Sequence, residues 1–247
     1  MPATASSDHA IVIPARFASS RFPGKPLADI LGKPMIRHVW ERCVATTSAE
    51  HVYVATDDPR ISTACEQFGA RVLMTSPDCL TGTDRVAEAA LGLDYAFLVN
   101  VQGDEPMLDP ADIVAVVNAY RQYGGAVVNA MTAIHDERDY WSRHVPKVVS
   151  TPDGRLLYMS RAAIPANKGG TFEKAWKQVC IYCLSPAQLA AYSAVSAKGI
   201  IERIEDIEIL RFLDLGIDVR MVELDSASIA VDTPEDLERV VHALQAR

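Results

Sequence analysis

A chain of 247 residues, 49% hydrophobic and 23% charged, is long enough to bury a sizeable core in one large α/β domain without disulfide or metal staples. Its formal net charge of −8 excludes a general nucleic-acid binder, whose phosphate contacts need clustered Lys and Arg, and no apolar run approaches the roughly 20 residues of a membrane span. Five cysteines, at 43, 65, 79, 180 and 183, are odd in number and lack disulfide-framework spacing, which suits a reducing compartment.

Residues 1–9 hold neither a basic stretch nor a long apolar one, so they read as a disordered lead-in, and the cytoplasm is the expected location. The run Ala10-Ile-Val-Ile-Pro-Ala15 is continuously apolar and interrupted only by proline, as in a strand buried on both faces of a parallel sheet. After a polar loop over 16–26, Ile36, Val39, Trp40 and Cys43 recur at helical spacing and predict a helix over 35–45. Strands over 51–55, 71–74 and 96–101 then alternate with helices that end near Phe68 or cover 83–91 and 109–120. This βα alternation predicts a mostly parallel central sheet, with ligands in the crevice beyond the carboxyl ends of its strands.

Over 124–184 the rhythm changes to shorter strands at 147–149, 156–159 and 179–184, the first two joined by a turn at Pro152-Asp-Gly154. The stretch reads as a small subdomain, inserted into a single domain over 10–247, that caps a site or builds an interface. A helix near 205–215, a strand over 219–222 and a final helix started by Thr233 ahead of Pro234 close the chain. Cys180-Ile-Tyr-Cys183 has C-x-x-C spacing but no second ligand pair to complete a zinc site, so ordinary strand cysteines are expected.

Three segments carry chemistry. The loop Pro14-Ala-Arg-Phe-Ala-Ser-Ser-Arg-Phe-Pro-Gly-Lys-Pro26 sets two arginines, a lysine and backbone amides directly after the first strand, where they can neutralise phosphates. It lacks the spacing of a Walker A loop, which disfavours P-loop chemistry. In Asn100-Val-Gln-Gly-Asp-Glu-Pro106, Asp104 and Glu105 follow a buried strand, and in Ala230-Val-Asp-Thr-Pro234, Asp232 follows a short apolar one. One carboxylate from each strand end suits magnesium, which takes one or two protein carboxylates beside phosphate oxygens and water. Asp104 or Glu105 could equally cap the helix near Asp109. No Ser-His or Cys-His nucleophile is evident, so direct transfer without a covalent intermediate is expected.

These segments, with Thr81-Gly-Thr-Asp-Arg85, Ser160-Arg-Ala-Ala-Ile-Pro165 and Val231-Asp-Thr-Pro-Glu-Asp-Leu237, resemble the ordered motifs of the CMP-KDO synthetases, the 3-deoxy-manno-octulosonate cytidylyltransferases, over about 10–245. The resemblance implies a Rossmann-like nucleotide-diphosphosugar transferase fold with a small dimerisation subdomain, a homodimer, and transfer of CMP from CTP to a small anionic acceptor with release of pyrophosphate. It implies that Arg16, Ser19, Arg21 and Lys25 hold the CTP phosphates, with Pro14 and Ala15 also contacting CTP. Thr81, Gly82, Thr83 and Arg85 would surround cytosine and ribose, with Gln102 at the junction with the acceptor. Asp104 and Asp232 would bind Mg2+, with Arg16 and Lys25 completing the catalytic set. Arg161, Gln178, Tyr182, Glu208 and Ile209 would face the acceptor.

The acceptor side departs from the family's pattern. Where KDO-using members carry His-Leu-Gly-Ile-Tyr-Gly-Tyr, this chain has Gln178-Val-Cys-Ile-Tyr-Cys-Leu184, and where they carry Leu-Glu-Gln-Leu-Arg it has Ile207-Glu-Ile-Leu-Arg211. The Pro-Gly-Thr-Gly stretch before the last aspartate is Ser226-Ala-Ser-Ile229. If Gln178, Leu184 and Ile209 all face the acceptor, three polar partners are gone, and the expectation is a pocket not tuned to KDO, open to another 2-keto-3-deoxy acid or a small phosphonate. A nucleotide-sensing module without catalysis is the rival from another class, and it would be expected to lose a metal carboxylate.

Overall fold

The first half of the chain alternates buried strands with amphipathic helices: β1 (His9–Ala15), the short hairpin β2 (Asp29–Ile30) and β3 (Lys33–Pro34), α1 (Met35–Val44), β4 (Val52–Thr56), α2 (Pro59–Gln67), β5 (Arg71–Met74), α3 (Gly82–Ala90), β6 (Phe97–Val101) and α4 (Pro110–Gln122). The second half holds β7 (Val127–Ala133), α5 (Glu137–Trp141), β8 (Lys147–Ser150), β9 (Leu156–Ser160), β10 (Trp176–Leu184), α6 (Pro186–Ser193), α7 (Ile200–Glu205), α8 (Leu210–Asp214), β11 (Val219–Leu224) and α9 (Pro234–Gln245). The structure is a computed structural model that describes residues 7–18, 22–226 and 228–246.

The main sheet runs β11-β7-β10-β6-β1-β4-β5. Only β10 is antiparallel to its neighbours β6 and β7; the remaining pairs along this path are parallel. Alternating side chains of β1 feed two cores, Ile11 and Ile13 packing with Ile36, Val39 and Val116 on one face, Ala10 and Val12 with Val86, Leu189 and Phe212 on the other. Burial on both faces is why these strands read as unbroken apolar runs.

Four sequence expectations need correction. β7 and β10 lie inside 124–184 yet are central strands of the main sheet, and β8 and β9 extend it, β8 pairing antiparallel with the start of β10 at Trp176 and Lys177, so only α5 and the loops lie off it. The long pairing of β10 with β7 holds it there, and the cue was weak because Asn129 and Gln178 interrupt the apolar runs. Residues 7–9, expected in the lead-in, belong to the fold: Asp8 accepts the Ala96 amide at 2.9 Å and pairs with Arg121 at 2.8 Å, and β1 begins at His9. The helix expected near 205–215 is two helices, because Asp206 takes a left-handed φ of 50° at the end of α7. Asp232 follows no strand; its segment is tied to the sheet by the Val231 amide, which donates to the Asp104 carbonyl at 2.8 Å.

Candidate active site

The carboxyl ends of β1 and β6 meet where a side chain would not fit. A Cβ on Gly103 would lie 3.0 Å from the Pro14 carbonyl oxygen and 3.2 Å from Ile36 Cδ1, so glycine lets the turn after β6 run against the tip of β1. That contact sets Asp104 beside Lys25, whose Nζ donates to Asp104 Oδ2 at 2.9 Å, to the Val231 carbonyl at 2.6 Å and to Asp232 Oδ1 at 3.5 Å. One ammonium thus ties together the two carboxylates expected to hold metal. Burial works against the Lys25 charge, but the neighbouring Asp104 and Asp232 outweigh it and raise its pKa above the ordinary lysine value.

Neighbouring Glu105 plays a different part. It is buried and accepts the Cys180 amide at 2.9 Å, and burial pushes its pKa up, so it anchors β10 and leaves Asp104 as the carboxylate on the cleft. Neither caps α4; Asp109 does, accepting the Ala111 amide at 2.9 Å.

A second close approach builds the other wall. A Cβ on Gly82 would come within 2.8 Å of both the Gln102 Nε2 and Oε1 atoms, so glycine at the start of α3 makes room for that amide. Thr81 caps α3, accepting the Asp84 amide at 3.1 Å. Glu208 binds both sides of the gap, accepting the Thr83 amide at 3.0 Å and Gln102 Nε2 at 2.6 Å. Burial raises the Glu208 pKa, the Thr83 amide opposing it. Tyr192 adds a strut, its hydroxyl 3.2 Å from Thr81 Oγ1 and donating to the Glu208 carbonyl at 3.2 Å.

Two cavities adjoin here. The first, about 250 Å³, is lined by Pro14, Ala15, Arg16, Lys25, Thr81, Gly82, Arg85 and Gln102, together with Asp104 and Asp232. The second, about 420 Å³, takes in Arg161, Gln178 and Tyr182. Asp104, Asp206, Glu208 and Asp232 border both, so the cavities share a wall of carboxylates with Lys25 at its centre. Two hard carboxylates around a single cationic position match the donor set magnesium prefers.

Not every expected residue fits its place. Arg16 is exposed at the cleft, whereas Arg85 is buried, its guanidinium bonded to Thr75 and paired with Asp57 at 3.1 Å. Thr83 is buried, its hydroxyl accepts Asn100 Nδ2 at 3.1 Å and its amide donates to Glu208 at 3.0 Å, so it braces the cleft wall and does not line the cavity. Ser19 and Arg21 lie outside the described residues. Arg161 borders the second cavity, but it donates to the carbonyls of Glu205, Arg143, His144 and Asp206, which commits most of its guanidinium to holding the end of α7.

Ile209 is buried in the core with Leu184, not in the acceptor cavity. Adjacent residues of a helical turn point ~100° apart, so with Glu208 on the cavity Ile209 turns inward. Of Gln178, Leu184 and Ile209, only Gln178 borders the cavity, donating to Asn129 Oδ1 at 3.0 Å and to the Tyr182 hydroxyl at 3.3 Å, while Cys180, Ser228 and Ile229 from the other departures border it too. Cys180 and Cys183 lie on β10, Cys183 in the core, and all five cysteines are free. Asn129, Lys198 and Asp206 border or brace the site without having been predicted. A polar residue inside an apolar strand was the available cue for Asn129; the other two sit on turns with no periodic signal.

A family model described as cytidylyltransferase matches residues 10–213. The chain belongs to the cytidylyltransferase family. Among its relatives, the 3-deoxy-manno-octulosonate cytidylyltransferase of Myxococcus xanthus is 44% identical over 96% of both chains, and that of Solibacter usitatus 43% identical over 95% of this chain and 94% of its own. The solved structure of CMP:2-keto-3-deoxy-manno-octonic acid synthetase complexed with CTP matches with a TM-score of 0.89 and 38% identity, covering 97% of this chain and 99% of that one. A cytidylyltransferase from Leptospira borgpetersenii, at 16% identity and a TM-score of 0.64, shares the fold. Within the cytidylyltransferases, the chain falls among the CMP-KDO synthetases, and it is a nucleotidyltransferase.

Proposed function

We propose that this cytidylyltransferase moves CMP from CTP onto 3-deoxy-manno-octulosonate or a closely similar 2-keto-3-deoxy sugar acid, releasing pyrophosphate. The observation that carries the reading is the shared carboxylate wall: Asp104, Asp232 and Glu208 border both cavities, so a nucleotide in one and an anionic sugar in the other would meet beside Lys25. The acceptor's hydroxyl oxygen attacks the α-phosphorus of CTP and gives its proton to solvent, the bond to the bridging oxygen breaks, and pyrophosphate leaves with that electron pair. Lys25 stays protonated throughout and acts as a fixed charge, not a base. Arg16 meets the phosphates at the mouth of the cleft, and Gln102, oriented by Glu208, lies where donor and acceptor adjoin. Asp104 and Asp232 would hold Mg2+, which supplies charge neutralisation at the phosphate oxygens.

Gln178, Tyr182 and Arg161 border the acceptor cavity under this reading. The core placement of Leu184 and Ile209, with the name the relatives share, favours a sugar acid over a phosphonate. The segments around α5, β8 and β9 would form the contact of a homodimer, offering Trp141 and Leu157, which are half-exposed. Among the described residues no helix is long and apolar enough to cross a membrane, and we place the enzyme in the cytoplasm. The test is pyrophosphate release with CTP, UTP and GTP against KDO, other 2-keto-3-deoxy acids and small phosphonates. CTP with KDO should give the highest kcat/KM; a phosphonate as best acceptor, or UTP as best donor, would refute the assignment.

A further inference from the structure

The first cavity has a lysine outside the motifs. Lys198, on the turn leading into α7, borders this cavity, and its Nζ donates to Asp206 Oδ1 at 2.8 Å. Its root is firmly held. The Gly199 amide donates to Glu202 Oε2 at 3.3 Å, and fully buried Glu202 is gripped by Arg211 through Nε and Nη2, each at 2.7 Å. Arg211 also bonds Asp84 of α3 at 2.6 Å, so the turn carrying Lys198 and the helix start carrying Thr81 and Gly82 share one frame.

Charge on the cavity gives Lys198 its role. Among the described residues, the cations bordering it are Arg16, Lys25, Arg85 and Lys198. Lys25 is shared between two carboxylates, and Arg85 is buried against Asp57. Among the described cations, Arg16 and Lys198 are therefore the two left to meet an incoming triphosphate. The Asp206 side chain is 68% exposed and that of Lys198 27%, so the pair is open to water on its carboxylate side, contributes little, and lets the ammonium turn to a stronger partner at small cost.

We propose that Lys198 is a nucleotide-binding residue, exchanging Asp206 for the anionic phosphate chain of CTP when the nucleotide enters. This rests on the reading of the first cavity as the CTP site. Asp206 acts as a placeholder for the phosphate, holding the ammonium at the cavity in the empty enzyme. A lysine that merely supports Asp206 would behave differently, and substitutions on both sides of the pair separate the two roles.

The experiment is calorimetric titration of the full-length protein with CTP and Mg2+ in the absence of acceptor, using wild type, Lys198→Met, Lys198→Arg, Asp206→Asn and the double variant Lys198→Met/Asp206→Asn. Lys198→Met should weaken CTP binding about tenfold, the loss of one charge-assisted contact. Lys198→Arg should retain the affinity, Asp206→Asn should equal or exceed wild type, and the double variant should match Lys198→Met alone. Asp206→Asn weakening CTP as much as Lys198→Met does would show a structural pair and overturn the proposal. So would unchanged affinity in Lys198→Met while wild type binds CTP, an outcome that leaves the CTP site itself standing. Failure of wild type to bind CTP would remove both.

Discussion

Lys25 Nζ lies 2.9 Å from Asp104 Oδ2, and the same ammonium reaches Asp232 from a segment more than a hundred residues further along the chain. Each carboxylate therefore contributes to the metal-free site and to the proposed magnesium site. Asp104→Asn and Asp232→Asn should each lower kcat by about 100-fold or more, since charge neutralisation at the phosphates supplies most of the catalysis in such transfers. Near-normal kcat in both variants at ordinary magnesium concentrations would remove the metal assignment.

Lys25 makes a prediction in pH. Its folded-state pKa is raised, so its contribution to stability is fully present below the ordinary lysine value and is lost only as pH rises through the raised one. The difference in Tm between wild type and Lys25→Met should stay constant across the neutral range and shrink only in strong alkali. In kinetics, Lys25→Met should reduce kcat/KM for CTP more than it raises the acceptor's KM. Unchanged CTP affinity and rate would leave the loop after β1 without its role.

Ile209 separates core from pocket. Placing an amide there with Ile209→Gln should cost about 1–3 kcal/mol through an unsatisfied buried polar group, read as a lower Tm, while KM for KDO stays near wild type. Improved KDO turnover in Ile209→Gln at unchanged Tm would place the side chain on the acceptor after all.

Arg211 is 1% exposed and bonds fully buried Glu202 and Asp84 together while its guanidinium stacks 3.8 Å from the Tyr192 ring centroid. Removing it strands two carboxylates, so Arg211→Met should destabilise the fold by about 3–5 kcal/mol. Thermal melts should show a Tm lower by about 10 °C. A variant as stable as wild type would mean that the carboxylates find other partners.

Part of the donor half of the site was legible because the loops after β1 and β6 follow parallel strands, and the rules for such sheets put ligands at those strand ends. Lys25 and Asp104 follow from that rule and Thr81 and Gln102 from the family resemblance, and all four border one cavity. The acceptor half was harder to read. A family pattern records which residue stands at a position but not which way its side chain turns, which is how Ile209 and Leu184 came to be expected in a pocket when they lie in the core. The reversed strand β10 was read as part of an insertion because its neighbours in the sheet, β6 and β7, are distant in sequence. Asp206 could not be anticipated, since its place depends on a left-handed turn by a non-glycine residue.

The meeting of two substrates at Asp104, Asp232 and Lys25 is tested most directly by following phosphorus NMR of CTP, KDO and Mg2+ with the wild-type protein. The α-phosphorus of CTP should be converted into the phosphodiester of a CMP-sugar acid, with one equivalent of pyrophosphate, and only when the acceptor is present. An unchanged CTP spectrum, or pyrophosphate release that proceeds without any acceptor and yields free CMP, would contradict transfer between the two cavities.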